Sequence, residues 1–251
     1  MPTIHLVIPF LDETSTLRTI VDRVFEVTWP EGWDVSVILV DDGSHEEAQI
    51  ESRRIGDSRA SVTLVRHEHN RGKGAALRTA FAIALDTAVD ADLVGIQDAD
   101  LEYAPDDLRR FIEVFEAEGD DVDAIFGNRW ANEVKTPISW IHRLGNRTLT
   151  ELSNLATGLR LTDMECCFKV FRTPLLRKML PELSESRFAI EPQLAAAVAR
   201  HHGSIAEVDI TYAPRSFAEG KKIGLGDLIS AVTTIVREWR RTRRTSRGGR
   251  S

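Results

Sequence analysis

An α/β fold, with a mostly parallel sheet and helices on both faces, is what the first hundred residues predict, and three observations carry that expectation. Apolar runs recur at residues 4–9, 35–40, 62–65 and 93–96, continuous rather than alternating, as strands buried on both faces read. Between them apolar side chains return at helical spacing. Each run also ends in a polar cluster: Asp12-Glu13, Asp41-Asp42, residues 70–73 and residues 98–102. The carboxyl ends of parallel strands form the ligand crevice of such a sheet. Four strand ends bringing carboxylates and a Gly-Lys loop to one rim therefore point to a bound nucleotide.

The first strand, residues 4–9, leads to a helix with Leu17, Ile20, Val21, Val24 and Phe25 on one face. A second strand at 35–40 runs into Asp41-Asp42-Gly43-Ser44, and a third at 62–65 into the loop 67–73. Ala76, Leu77, Ala80, Phe81, Ala84 and Leu85 mark one side of the next helix, and residues 93–96 form a fourth strand ending at Gln97. Pro105 opens a helix, a residue favoured at the first helical position, and Leu108, Phe111, Ile112 and Phe115 face inward from it. Beyond it the pattern predicts a strand at 122–126 and a long helix over about 138–157, carrying Arg143, Asn146, Arg147 and Asn154. A strand at 166–171, an Ala-rich helix at 190–201, a strand at 205–210, a polar loop at 214–222 and a last helix complete the order. No repeat and no linker interrupts the chain, so one domain is expected over 1–236, with halves at about 1–102 and 103–236.

The chain's 251 residues, 42% hydrophobic and 28% charged, can bury a core without staples. A mean hydropathy of −0.20 excludes a disordered, collagenous or disulfide-framework protein. Cys166 and Cys167 are adjacent and cannot make an ordinary long-range disulfide within the chain, which suits a reducing compartment. No run reaches the roughly 18 apolar residues of a spanning helix, and the first residues lack the basic segment and cleavage site of a secretory signal. A cytoplasmic, non-spanning protein is expected. Charge is uneven: from Arg237 onward there are seven arginines and one acid, Glu238, against 25 basic and 38 acidic residues before them. An acidic body with a basic tail at 237–251 reads either as an arm for an anionic lipid surface or as a disordered, solvated terminus. Nucleic acid is not an expected partner.

Asp98-Ala99-Asp100 is the sharpest local feature. Two carboxylates one residue apart at a strand end can both turn to a hard cation such as Mg²⁺ or Mn²⁺, which takes its other ligands from substrate phosphates; the alternative is a solvated turn. Asp41 and Asp42 can accept hydrogen bonds from a ribose or an imide edge, or cap an ordinary turn that Gly43 permits. Asn70-Arg71-Gly72-Lys73-Gly74 opens a helix with glycines and cations, an anion site in the making. It has neither the P-loop nor the dinucleotide-fold spacing, so ATPase and dehydrogenase readings lose their support.

These clusters, taken in order, resemble glycosyltransferase family 2: Pro9-Phe10-Leu11-Asp12-Glu13, residues 40–44, residues 70–74 with Arg78, and residues 97–102. Downstream, Gly127-Asn128-Arg129, residues 162–169, Tyr212-Ala213-Pro214-Arg215 and residues 219–223 resemble its dolichyl- and polyprenyl-phosphate glucosyl- and mannosyltransferase branch. The chain departs from the family pattern at Asp12, where Asn is usual, at Cys167, where glycine is expected, and at Glu102, where relatives often carry Gln.

The resemblance implies a GT-A fold and inverting transfer of a hexose from a nucleotide sugar, a UDP- or GDP-sugar, to a polyprenyl phosphate at the inner membrane face. Donor contacts would come from Pro9, Glu13, Asp41, Asp42, Gln97, Asp98 and Arg71 or Lys73, with Asp98 and Asp100 on Mg²⁺ or Mn²⁺. Acceptor phosphate would meet Arg129, Arg143, Arg215, Lys221 and Lys222, or the last three form a solvated loop. A hydroxyl acceptor, the second reading, needs a base, for which Asp163 and Glu165 are the candidates. Asp163 could equally act as a cap or pair with a nearby arginine such as Arg143 or Arg160. A non-catalytic lipid- or nucleic-acid-binding adaptor is the third reading, against which Asp98 and Asp100 argue.

Overall fold

The computed structural model describes residues 1–130, 140–214 and 225–248. Its centre is a seven-stranded sheet in the order β3-β2-β1-β4-β6-β5-β7. β1 (Thr3–Phe10), β2 (Asp34–Asp41), β3 (Val62–Arg66) and β4 (Leu93–Ile96) are the four expected apolar runs, and every pairing among them is parallel. Alternate side chains of β1 serve different layers. Ile4, Leu6, Ile8 and Phe10 pack on one face with α1 (Leu17–Glu26) and α4 (Asp107–Glu118), while Val7 joins the other. That second layer holds α3 (Lys73–Thr87), with Ala76, Leu77, Ala80, Phe81 and Ala84 wholly buried. A strand hidden on both faces cannot alternate apolar with polar, hence the unbroken runs.

The second half completes the same sheet. β5 (Ala124–Asn128) and β7 (Ile205–Asp209) are parallel to each other, and β6 (Lys169–Arg172) runs antiparallel between β4 and β5. α5 (Trp140–Thr157), α6 (Thr173–Met179), α7 (Ile190–Arg200) and α8 (Leu225–Gly248) contribute Leu149, Leu176, Leu194 and Ile235 to the layer of α3. The start expected for the long helix, at residue 138, lies outside the described residues. β6 starts later than the strand expected at 166–171, because residues 166–168 are irregular chain leading into it.

Two further differences have plain causes. α2 (Glu46–Ser58) carries no apolar stripe, since only Ala48, Ser52 and Ile55 face inward, so periodicity gives no sign of it. The boundary expected at Arg237 is not a structural one. α8 continues through it to Gly248, and Glu238 is buried, taking Arg200 at 2.8 Å and Arg241 at 3.3 Å. An acid among arginines, facing inward, anchors the turn that composition alone marks as a loose tail.

Candidate active site

Because β1 to β4 run the same way, their carboxyl ends open on one rim, and β1 lies between β2 and β4 where the chain reverses its direction across the sheet. There a cleft of about 240 Å³ is lined by Pro9 at the end of β1 and Glu13 beyond it, Asp42 beyond β2, Lys73 at the start of α3, and Asp98 and Asp100 beyond β4. Arg187 and Phe188, from the segment before α7, also line it. Those two carry no motif, and nothing local in the sequence marks them.

Asp42 lines the cleft and also folds its floor. Its Oδ1 accepts the backbone N–H of Arg71 at 3.0 Å, its Oδ2 that of Gly72 at 2.7 Å, and His67 Nδ1 lies 2.7 Å from Oδ1. Gly43 follows with φ 81, and a Cβ there would lie 2.5 Å from the carbonyl carbon of His69, so the turn admits only glycine. Asp41 is buried and caps that turn, accepting the N–H of Ser44 at 2.8 Å, with Arg66 Nε 3.6 Å from its other oxygen. Gln97, completely buried, donates to the carbonyl of Asp98 at 3.1 Å and props the loop from inside. Arg71 is exposed, and its contribution here is a backbone N–H.

Lys73 points into a buried charge chain. Its Nζ lies 2.8 and 3.0 Å from the two oxygens of Asp98, 2.9 Å from Cys167 Sγ and 3.5 Å from Glu191 Oε1. Glu191 in turn pairs with the fully buried Lys169. Cys167 thus becomes a partner of the lysine. Asp100 sits differently. Its Oδ1 accepts the N–H of Glu102 at 3.0 Å, and burial, then the charges of Asp98 and Glu102, push its carboxyl up to about 7. Leu101 between them has φ 64, left-handed backbone that costs a branched side chain energy, as happens at functional turns. Hard oxygens and crowded negative charge suit a divalent cation. Among the described residues no three His, Cys, Asp or Glu side chains could hold one alone, so an ion here would draw on substrate phosphate and water.

In the second half, Asp163 takes the pairing alternative, with a partner other than the two expected. Arg129 Nε and Nη2 donate to its two oxygens at 2.6 and 2.7 Å, a fork-to-fork pair, and the Arg129 backbone N–H adds a third bond at 3.2 Å. Asp163 is wholly buried and Arg129 nearly so. Neither a free base nor a free acceptor-binding guanidinium results. Arg143 remains exposed, its guanidinium 5.4 Å from the Trp130 ring centre. Arg215, Lys221 and Lys222 lie outside the described residues.

Glu165 is the unusual acid. Its Oε1 is buried and accepts no hydrogen bond, and burial, then the charge of Glu191, raises its carboxyl to about 7. The unfolded chain ionises it near 4.5, so between those values the native state holds the extra proton and stability falls as pH rises. Glu165→Gln is expected to leave the melting temperature unchanged at pH 4 and raise it at pH 8, with a difference on the order of 3 kcal/mol. Thermal melts across that range check this; a difference that does not vary with pH would contradict it.

Comparison with known proteins accords with the site. Two relatives are named as undecaprenyl-phosphate 4-deoxy-4-formamido-L-arabinose transferases. The Pectobacterium atrosepticum protein is 26% identical over 238 residues, covering 92% of this chain and 68% of its own. The Pectobacterium carotovorum protein is 28% identical with the same coverage. Among solved structures, glucosyl-3-phosphoglycerate synthase from Mycobacterium tuberculosis in complex with UDP superposes with a TM-score of 0.69 at 19% identity, over 95% of this chain and 80% of that one. The same protein with Mn²⁺, UDP-glucose and phosphoglyceric acid gives 0.68. The expected GT-A fold is thereby borne out. The family model for Glycosyl transferase family 2 matches residues 5–180. With well over half of its length so matched, the chain belongs to glycosyl transferase family 2 and is a glycosyltransferase.

Proposed function

We propose that this glycosyltransferase moves a sugar, with inversion, from a nucleoside-diphosphate donor to a polyprenyl phosphate at the cytoplasmic face of a membrane. The observation that carries the donor half is the convergence of Glu13, Asp42, Asp98 and Asp100 on one cleft at the parallel strand ends. Asp98 and Asp100 are the residues that would hold Mg²⁺ or Mn²⁺, which supplies charge neutralisation to a departing diphosphate. Lys73 fixes Asp98 within the cleft, Asp42 shapes the loop beneath the donor, and Pro9 and Glu13 line the same cleft.

The acceptor reading turns on the acids of the second half among the described residues. Asp163 is locked in its pair with Arg129, which removes the more obvious base. A phosphate monoester, with a second pKa of about 6, is ionised at neutral pH and attacks the anomeric carbon unaided. Relatives named for undecaprenyl phosphate support the same acceptor class. Their sugar is an arabinose derivative, a pentose, which widens the expected hexose to a glycosyl group of either size.

Contact with a lipid surface has support in α8. It exposes Leu228, Ile229 and Val236, with Arg237, Arg240 and Arg241 following, the pairing of apolar and cationic groups that suits an anionic interface. Among the described residues no helix is long and apolar enough to cross a membrane. A second reading, a hydroxyl acceptor, is favoured by one observation, the buried Glu165 carboxyl with an unpartnered oxygen. Both are tested by offering UDP-, GDP- and dTDP-sugars with Mn²⁺ to the protein, with undecaprenyl phosphate in anionic vesicles or with glycerate and simple glycosides. Transfer to the polyprenyl phosphate, undiminished in Glu165→Gln, is expected. Transfer only to a hydroxyl, lost in that variant, would overturn the proposal.

A further inference from the structure

The sequence places phosphate-binding charge on Arg71 and Lys73, but Arg71 is absent from the cleft lining and Lys73 is already engaged there. Arg71 does not line the cleft, and its backbone serves Asp42. Lys73 has three N–H bonds to give, and Asp98, Cys167 and Glu191 already surround it. Turning it toward a phosphate would leave the Asp98 carboxylate bare beside another anion. Of the cations that line the cleft, Arg187 is left. It is exposed, and no carboxylate pairs with it among the described residues.

Its position is fixed by three neighbouring elements. The Ser186 carbonyl accepts the N–H of Ala75, in the first turn of α3, at 3.1 Å. Gly72 has φ 92, and a Cβ there would lie 2.4 Å from that carbonyl and 3.1 Å from Arg187 Cγ, so the 185–187 backbone rests directly on the Gly-Lys loop. The N–H groups of Ser184 and Glu185 both donate to Oε1 of the buried Gln193 on α7, at 2.9 and 2.8 Å. Glu185 also takes Arg237 at 2.6 Å and the Thr234 hydroxyl at 2.8 Å, both from α8. A strap tied to α3, α7 and α8 presents one guanidinium to the cleft.

Charge completes the argument. Glu13, Asp42, Asp98 and Asp100 line the cleft against Lys73 and Arg187. A divalent ion would bring that set to neutrality, and a diphosphate bound there then needs a donor able to follow its charge. A guanidinium offers paired N–H groups matched to phosphate oxygens, with weaker hydration than an ammonium. We propose that Arg187 is the side chain that binds the donor's diphosphate and stabilises it as leaving group, in place of Arg71 or Lys73. This rests on the nucleoside-diphosphate donor proposed above.

The test is calorimetric titration of the full chain with UDP, GDP and dTDP, with and without Mn²⁺, and with the matching nucleosides. Arg187→Ala is expected to weaken the diphosphate that binds by about 10- to 100-fold, the size of one charge-assisted contact, while the nucleoside's affinity stays the same. Arg187→Lys should recover part of the loss. Unchanged diphosphate affinity in Arg187→Ala would overturn the assignment. So would an equal loss for the nucleoside, which would mean that the strap only supports the wall. If the unaltered chain binds none of the three diphosphates, the proposed donor class falls and Arg187 with it; if it binds one, only the assignment of Arg187 is at stake.

Discussion

Arg129→Ala is expected to lower the stability of the protein by about 3–5 kcal/mol, the cost of leaving one partner of a buried ion pair alone. Asp163 is wholly buried and both its oxygens accept from Arg129, at 2.6 and 2.7 Å. Burial favours the neutral form of an unpaired carboxylate, but protonation would still leave an oxygen facing the space the guanidinium vacates. The loss is specific to breaking the pair. Arg129→Met combined with Asp163→Leu removes both charges, and apolar replacement of a buried pair is often neutral or stabilising, so the double variant should regain most of the midpoint in urea. Were Arg129 instead an acceptor-binding cation, Arg129→Ala would cost under about 1 kcal/mol, as surface changes do, and would raise the KM for polyprenyl phosphate. Urea titrations of the two variants, with KM alongside, separate the two.

That pair also shows where sequence reading stops. β1 to β4 and the rim they share follow from apolar runs and the polar residues behind them, because a doubly covered parallel strand leaves a contiguous mark. Glu13, Asp42, Asp98 and Asp100 converge as the pattern implies, since strand direction alone sends them to one side. What each carboxylate does there is a matter of partners far along the chain. Lys73 and Cys167 are 94 residues apart and Arg129 and Asp163 are 34 apart, and no local periodicity encodes such meetings. Asp41 and Asp42 look alike in sequence, yet one caps its own turn and the other organises the loop after β3. α2 escapes notice because two small residues, Ala48 and Ser52, and a single Ile55 suffice to seat it. Arg187 escapes for a different reason: its value lies in being left over once Lys73 has its carboxylates.

The two acids of the Asp98-Ala99-Asp100 turn should answer opposite ways to the same change. Asp100→Asn is expected to cut sugar transfer by about 10²–10³-fold, the size of a lost electrostatic contact to charge that develops in the transition state, without loss of stability. Asn keeps an oxygen for the Glu102 N–H now bonded at 3.0 Å, and it removes a charge held against Asp98 and Glu102, so the melting temperature of the ligand-free protein should rise. Asp98→Asn is expected to abolish transfer too, but it strips the largely buried Lys73 of the carboxylate at 2.8 Å and should cost about 2 kcal/mol or more even with Glu191 nearby. Stability held in tension at one residue and supplied by its neighbour two positions away fits the ion and diphosphate proposed for this cleft. Equal destabilisation by both variants would mean that Asp100 is merely another structural acid. A gain in stability from Asp100→Asn with full activity retained would place the ion elsewhere in the cleft.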